Sequence, residues 1–214
     1  MGSEQRPSTP RRSLGQASLG TSGGGITRIA VYCGSASGAD PAFAEVAREL
    51  AREMVSRGIE LVYGGGRLGL MGIVADTVLE AGGRAHGVIP QALVDKEVAH
   101  TGLTELHTVA GMHERKACMT ELCDAFVALP GGIGTLDELF EAWTWNALGY
   151  HAKPFALLDV HGFWRGLDMF MDHVSESGFL SKARREQLML AHTPAEAIDM
   201  LDAAAKNATQ GMVW

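Results

Sequence analysis

The chain has 214 residues, of which 46% are apolar, and its formal net charge is −7. This length allows one domain with a full hydrophobic core, whereas the acidic balance argues against a nucleic-acid partner. No apolar run approaches the roughly 20 residues of a membrane span, so we expect no membrane contact either. Glycine is the outlier in composition, with 27 residues against the about 15 that average usage would give.

The first 25 residues differ in composition from the rest of the chain. Eleven of them are Gly or Ser, and the first apolar run begins at Ile26. Such a segment cannot bury enough surface to offset its ordering entropy, so we expect disorder over residues 1–25 and one domain over residues 26–214. No apolar segment follows the Arg11-Arg12 pair, and the three cysteines lack a CxxC spacing. Both features indicate a cytoplasmic protein with reduced thiols.

Short β-rich runs alternate with stretches of helical periodicity along the remaining chain. Strands are predicted over residues 28–33, 59–63, 84–89, 103–109, 124–129 and 153–159. Helices are predicted over residues 41–57, 70–81, 112–123 and 135–148, with two or three more helices after residue 162. The strands are continuous apolar runs, as expected when helices cover both faces of a sheet. The pattern predicts an α/β fold, a Rossmann-like doubly wound parallel sheet flanked by helices in a single domain.

Three of the predicted strands end in glycine-bearing turns that open a helix. These turns are Cys33-Gly34-Ser35, residues 64–69 (GGGRLG) and residues 130–135 (PGGIGT). The carboxyl ends of parallel strands meet at one edge of the sheet, where α/β proteins bind ligands. Glycine lets a ligand approach the main chain closely, and the N–H groups at a helix N-terminus attract anions. We therefore expect a phosphate site, although each turn alone is also compatible with a simple tight turn.

Two other nucleotide-binding motifs fit the sequence less well. Residues 64–69 match GxGxxG, but they follow the second strand rather than the first. No clear ribose-binding acid stands about 20 residues further on, as that motif requires. Neither glycine-rich loop continues into the Gly-Lys-Ser/Thr of a Walker A motif. An enzyme that uses NAD or FAD is therefore a weaker alternative, and a Walker A protein is not supported.

Charged residues accompany two helix starts near this edge. Glu138 lies three residues after Thr135, so both share one face of the helix that follows the PGG turn. Compensation of the helix dipole explains an acid there about as well as a chemical role does. Arg115 and Lys116 lie at the start of another helix, where the dipole opposes positive charge. This placement favours a ligand over a solvated basic corner.

Metal binding has little support in the sequence. The eight histidines are scattered, there is no HExxH motif, and no Cys/His pair has zinc spacing. We therefore expect neither a structural metal nor a metal cofactor.

Several segments together resemble the LONELY GUY (LOG) proteins, cytokinin riboside 5'-monophosphate phosphoribohydrolases that often carry the label lysine decarboxylase. The resemblance covers residues 28 to about 190, and its most specific part is MxxRK (112–116) followed by PGGxGTxxE (130–138). Further matches are VYCGSASG (31–38), YGGGRLGLMG (63–72), GVIPQAL (87–93) and LGYHAKPF (148–155). Nothing in the sequence supports the Schiff-base lysine that a pyridoxal phosphate decarboxylase needs.

The resemblance implies hydrolysis of the N-glycosidic bond of adenosine 5'-monophosphates, N6-modified or plain, to a free base and ribose 5-phosphate without a cofactor. Arg115 and Glu138 would be the catalytic pair. Substrate contacts would come from Ser35, Gly64, Gly65, Gly66, Glu97, Lys116, Gly131, Gly132, Ile133, Gly134, Thr135, Leu136, Asp137 and Thr144. Asp137 stands where a second Glu is frequent in the family, which is a conservative change.

Family members are typically homodimers, so the resemblance also implies a homodimer with active sites near the subunit interface. The apolar helix around Trp143 and Trp145 is a candidate for that interface, although both side chains are equally compatible with the core. A non-catalytic relative that binds a nucleotide or the molybdenum cofactor is the main alternative, because such proteins share the glycine-rich sheet. The presence of both Arg115 and Glu138 favours the enzyme.

Overall fold

The computed structural model describes residues 25–95 and 98–210. The segment predicted to be disordered, residues 1–25, lies outside the described residues except for Gly25. Seven strands are present in the described chain: β1 (Arg28–Tyr32), β2 (Glu60–Tyr63), β3 (Ala85–Pro90), β4 (Glu105–Val109), β5 (Ala125–Ala128), β6 (Phe155–Leu158) and β7 (Leu188–Ala191). They form one parallel sheet in the order β4-β3-β2-β1-β5-β6-β7, which confirms the predicted α/β class.

Helices cover both faces of this sheet. Over the described residues they are α1 (Pro41–Ser56), α2 (Gly69–Glu80), α3 (Gln91–Val94), α4 (Met112–Leu122), α5 (Ile133–Ala147), α6 (Arg165–Glu176), α7 (Lys182–Arg185) and α8 (Pro194–Gln210). On one face, α1, α2 and α8 pack around a core that includes Leu50 and Val74. On the other face, α4, α5 and α6 pack around a core that includes Met119 and Trp143, whereas Trp145 is half-buried.

A helix able to span a bilayer would need a long and predominantly apolar sequence. Within residues 25–95 and 98–210, no helix meets both conditions.

The region after residue 162 differs from its prediction. The six predicted strands are confirmed to within two residues, but Leu188–Ala191 forms a seventh strand, β7, which pairs with β6. Helices alone were the wrong prediction here because Leu, Met and Ala favour helices in isolation. In the folded chain this segment is a strand because it pairs with β6 and buries Leu188 and Ala191. Strand preference depends strongly on such packing.

Helix α5 begins at Ile133, two residues before its predicted start, with Gly132 as the N-cap residue. Glycine destabilises the middle of a helix. In the first turn the main-chain N–H groups have no intrahelical partner in any case, so Gly134 does not delay the start of α5. Glu138 therefore lies in the second turn, beyond the positions where an acid best compensates the helix dipole. Compensation of the helix dipole is therefore a weaker explanation for an acid at this position.

The order of the strands reverses beside β1. From β1 the chain proceeds outward through β2, β3 and β4, and then returns to β5 on the other side of β1. The turns that follow β1 and β5 diverge toward opposite faces of the sheet and leave a crevice at its carboxyl edge. Open α/β sheets bind their ligands at this switch point.

Candidate active site

A cavity of about 480 Å³ occupies the crevice at the carboxyl ends of the central strands. Its volume is in the range of small-molecule sites. All three glycine-bearing turns reach it, together with side chains of α4 and α5. The residues predicted from the sequence that line it are Ser35, Gly64, Gly66, Arg115, Gly132, Ile133, Gly134, Thr135 and Glu138.

Arg115 and Glu138 form a buried ion pair in the cavity lining. Arg115 Nη1 lies 2.8 Å from Glu138 Oε1, and the two side chains are 9% and 10% exposed. Arg115 Nε also donates a hydrogen bond to the main-chain oxygen of Val88, at 3.1 Å. Burying two charges is costly even when they are paired, so such a pair is weak evidence for stability and is typical of a functional site.

Gly64 provides space for the guanidinium of Arg115. A Cβ atom at Gly64 would lie 1.8 Å from Arg115 Nη2, so no other residue type fits while the arginine keeps this position. The glycine at the end of β2 therefore serves packing around the cation in addition to lining the cavity.

The environment of Glu138 perturbs its ionisation. Burial raises the pKa of the Glu138 carboxyl above its usual range, and the charges of Arg115 and Lys116 oppose that rise. The nearby Asp137 carboxylate adds to it. A carboxyl with a perturbed pKa that faces a cavity and contacts a fixed cation is suited to proton transfer or to stabilising a developing positive charge.

The N-terminus of α5 opens into the same cavity. No side chain caps this end in the described structure, and Gly132, Ile133 and Gly134 are all exposed. A Cβ atom at Gly132 or Gly134 would meet no atom within 4 Å, so a ligand can reach the main chain there. Free N–H groups and the positive end of the helix dipole make this end an anion site.

Apolar side chains complete the cavity. Leu68 and Met71 come from the start of α2, Ile89 from β3, Leu93 from α3, and Val98 from the following loop. None of them carries a signal in the sequence, because no local pattern distinguishes such residues from those of the core. Together they form a surface suited to a flat, apolar group such as a base.

Lys116 lies outside this lining and joins α4 to α5. Its Nζ is 2.7 Å from Asp137 Oδ2 and 2.6 Å from Glu141 Oε2. Burial opposes the charge of Lys116, but the two carboxylates outweigh it and raise the pKa of the ammonium group. Lys116 and Asp137, both predicted to contact the nucleotide, contact each other here.

The remaining residues predicted to contact the substrate either do not line this cavity or lie outside the described residues. Gly65 is buried with φ of 72°, Gly131 borders a smaller neighbouring cavity, and Leu136 packs against the core. Thr144 is exposed on α5 and does not line the cavity in the described chain. Glu97 lies outside the described residues.

Comparison with known proteins yields one matching family. Its model, described as "Possible lysine decarboxylase", matches residues 71–201. The chain is 46% identical over 187 residues to the cytokinin riboside 5'-monophosphate phosphoribohydrolase LOG of Oryza sativa subsp. japonica, covering 87% of this chain and 77% of that protein. It is 45% identical over 176 residues to the cytokinin riboside 5'-monophosphate phosphoribohydrolase LOG5 of Arabidopsis thaliana, covering 82% and 77%.

Solved structures share the fold at lower identity. The structural-genomics target TM1055 aligns with a TM-score of 0.64 at 26% identity, over 83% of this chain and 99% of that one. The molybdenum cofactor carrier protein of Chlamydomonas reinhardtii aligns with a TM-score of 0.62 at 21% identity, over 86% and 98%. The second likeness shows the fold alone.

Proposed function

The chain belongs to the LOG family of cytokinin riboside 5'-monophosphate phosphoribohydrolases, and from this membership we propose that it hydrolyses N6-modified adenosine 5'-monophosphates and AMP. Water adds to C1' of the ribose as the bond from C1' to the base nitrogen breaks, and the base leaves with a proton. The products are a free base, a cytokinin or adenine, and ribose 5-phosphate. The observation that carries the proposal is the buried Arg115–Glu138 pair beside an uncapped helix N-terminus in one cavity.

We assign the 5'-phosphate to the N-terminus of α5. The exposed main chain of Gly132, Ile133 and Gly134 offers N–H groups together with the positive end of the helix dipole. A chain with a net charge of −7 binds an anion locally in this way, without a basic surface. Phosphate binding would position the distant glycosidic bond, so a nucleoside without a phosphate should be a poor substrate.

We assign Glu138 to the reacting sugar. Departure of the base builds positive charge on the ribose, and a carboxylate beside C1' stabilises that charge and orients the attacking water. The Val88 carbonyl and the space at Gly64 fix the guanidinium of Arg115, so Arg115 holds Glu138 in position. The charge of Arg115 also favours the ionised form of the Glu138 carboxyl.

We assign the base and its N6 substituent to the apolar part of the lining. Leu68, Met71 and Leu93 come from separate elements and present mainly hydrocarbon surface. Transfer of a prenyl group from water to such a surface is favourable by roughly 25 cal/mol per Å² buried. A prenylated AMP should therefore bind more tightly than AMP does.

The decisive experiment measures products. The wild-type chain is incubated with AMP and with isopentenyladenosine monophosphate, and free base and ribose 5-phosphate are quantified. Glu138→Gln should lower kcat by about 10²–10⁴-fold, because the neutral amide cannot stabilise positive charge. Affinity for AMP, measured by calorimetry, should change little because the phosphate site is intact.

Glu49→Gln is the matched control, since Glu49 is an exposed acid on α1. It should keep wild-type turnover. Release of no base from either nucleotide by the wild-type chain would contradict the proposed activity. Nucleotide binding without turnover would instead support the non-catalytic alternative, and wild-type turnover by the Glu138 variant would remove Glu138 from the mechanism.

We further propose that the chain forms a homodimer through the outer face of α5. Thr144 lies seven residues after Asp137, so the two share a helix face, and Leu148 and Tyr150 beyond it are 65% and 76% exposed. A partner on this face would bring Thr144 near an active site. Sedimentation should give twice the chain mass for the wild type and the single chain mass for Leu148→Asp, whereas a monomeric wild type would contradict the dimer.

We also propose a cytoplasmic location, on the chemistry of the thiols. Cys33, Cys118 and Cys123 are free. Free thiols are typical of proteins in reducing compartments. Fractionation of cells that express the chain tests this, and recovery from the medium would contradict it.

A further inference from the structure

Two histidines and a glutamate meet at the amino-terminal end of the sheet, away from the active site. His86 is the second residue of β3, while Glu105 and His107 are the first and third residues of β4. The parallel register pairs His86 with Glu105 and Val88 with His107, which places the three side chains on one face. His86 Nδ1 and His107 Nε2 lie 3.3 and 3.5 Å from the same oxygen, Glu105 Oε2.

Glu60 fixes His86 from the other side. His86 Nε2 is 2.8 Å from Glu60 Oε2, and the histidine side chain is only 2% exposed. Arg28 and Arg84 hold the Glu60 carboxylate at 2.9 Å each. When Nε2 donates its proton to Glu60, the Nδ1 lone pair of neutral His86 faces the carboxylate of Glu105. Two acceptors this close repel each other unless a proton or a cation lies between them.

His107 presents a second nitrogen to the same point. Its Nε2 is buried and has no hydrogen-bond partner among the described residues, although Glu105 Oε2 is 3.5 Å away. A buried polar atom without a partner is unusual and calls for an occupant. The donor atoms of His86, Glu105 and His107 all lie within 4.8 Å of one another.

We propose that His86, Glu105 and His107 bind one Zn²⁺ ion. Zinc bonds to nitrogen and oxygen of about 2.0–2.2 Å give a tetrahedron with edges of about 3.3–3.6 Å, which matches the two measured separations. The contact from His86 to Glu60 reproduces the carboxylate–histidine–metal arrangement that orients many zinc ligands. Three protein ligands leave one position for water, and Glu105, at 55% exposed, gives the ion access from solvent.

The ion would fasten β4 to the rest of the sheet. β4 is an edge strand, and all five of its side chains are at least partly exposed, so its own packing holds it weakly. Through the ion, Glu105 and His107 of β4 would be linked to His86 of β3. Strand β3 is buried along its whole length. The ligands come from two successive strands, and His86 and Glu105 are 19 residues apart, a spacing that the short metal-binding motifs do not include.

The test titrates Co²⁺ and Zn²⁺ into the full chain, prepared without a histidine tag and stripped with a chelator. One equivalent of Co²⁺ should give the visible absorption bands of a tetrahedral site, and Zn²⁺ should displace it. The metal should raise the melting midpoint of the wild-type chain by several degrees. His107→Gln and Glu105→Gln should each weaken binding by about 100-fold or more, and Glu60→Gln by about 10–100-fold.

His173→Gln, at an exposed histidine on α6, is the matched control and should bind as the wild type does. Melting curves without metal show whether each variant is folded, and the partly exposed Glu105 provides a second test if His107→Gln is not. Absence of Co²⁺ and Zn²⁺ binding to the wild type would overturn the proposal and leave a proton between His86 and Glu105. Equal binding by wild type and both ligand variants would overturn it as well.

Discussion

At the level of single residues, the glycines around the cavity perform two different tasks. Gly64 leaves space for Arg115, and a Cβ atom there would lie 1.8 Å from the guanidinium. Gly132 is exposed, and a Cβ atom there would meet no protein atom within 4 Å, so packing does not require a glycine here. Under the proposed function, its missing side chain leaves room for the phosphate. Substitution by alanine should therefore separate the two tasks.

Gly64→Ala should displace Arg115 and lower kcat/KM by about 100-fold or more, because the ion pair to Glu138 is then disturbed. Gly132→Ala should leave the free energy of unfolding within about 0.5 kcal/mol of wild type and raise the KM for AMP about tenfold, since its methyl obstructs the phosphate site. Kinetics and urea denaturation measure both. Gly166→Ala, at an open glycine on α6, is the control and should leave KM unchanged. An unchanged KM in Gly132→Ala would place the phosphate elsewhere.

The ionisation of Glu138 leads to a prediction on pH. The proposed role needs the carboxylate, and its fraction falls as the pH drops through the Glu138 pKa, which burial raises and Arg115 lowers. The acid limb of kcat/KM should therefore lie above that of an ordinary glutamate, and Arg115→Gln should move it further upward. Arg115→Gln should also lower kcat/KM at neutral pH by about tenfold or more. Arg165→Gln, at an exposed arginine, should alter neither, and an unmoved limb in Arg115→Gln would refute the coupling.

Among the helices, an ion-pair cluster joins the two that carry the proposed catalytic pair, Arg115 and Glu138. Lys116 of α4 contacts Asp137 and Glu141 of α5 at 2.7 and 2.6 Å. Arg115 and Glu138 are the sequence neighbours of Lys116 and Asp137, so the two ion pairs join the same parts of α4 and α5. We infer that Lys116 is a positioning residue rather than a catalytic one.

Lys116→Met should lower the free energy of unfolding by about 1–3 kcal/mol at neutral pH, because two partly exposed carboxylates lose their cation and repel each other. Urea denaturation at pH 7 measures the difference. Lys182→Met is the control, since Lys182 is 89% exposed, and should change stability by less than about 0.5 kcal/mol. A wild-type free energy of unfolding in Lys116→Met would contradict the role of this ion-pair cluster.

Across the molecule as a whole, the two ends of the parallel sheet carry different clusters of polar residues. The carboxyl ends of the strands surround the cavity of the proposed active site, whereas the amino-terminal end of β3 and β4 carries His86, Glu105 and His107. The central strands between these ends are almost wholly buried, so each end is held by the same rigid core. A further histidine, the half-buried His151, lies between α5 and β6.

His151 should make the fold less stable in acid. Burial, with a smaller contribution from Lys153, lowers the pKa of the His151 imidazole to about 4. The unfolded chain titrates at about 6.5, so it takes up the proton first and stability falls as pH drops from about 6.5 toward 4. Because water reaches part of the ring, the loss should be about 1–2 kcal/mol.

His151→Asn tests this prediction, because asparagine offers an acceptor for the main-chain N–H of Lys153, which donates to His151 Nδ1 at 3.2 Å. The free energy of unfolding of this variant, followed from pH 7 to pH 4, should fall less steeply than that of wild type. The exposed His173→Asn should follow the wild-type curve. Equal slopes for all three chains would show that His151 titrates normally in the folded state.

The alternation of strands and helices, the three glycine-bearing turns and the charged residues of the cavity can all be read from the order of the amino acids. Those features are local, because hydrophobic period and turn chemistry depend on neighbours in the chain. Other features emerge only in the folded chain: Leu188–Ala191 is a strand that pairs with β6, and Lys116 contacts α5. Folding also brings together the apolar lining and the histidines of β3 and β4. These features depend on contacts between residues far apart in the chain, which no local pattern encodes.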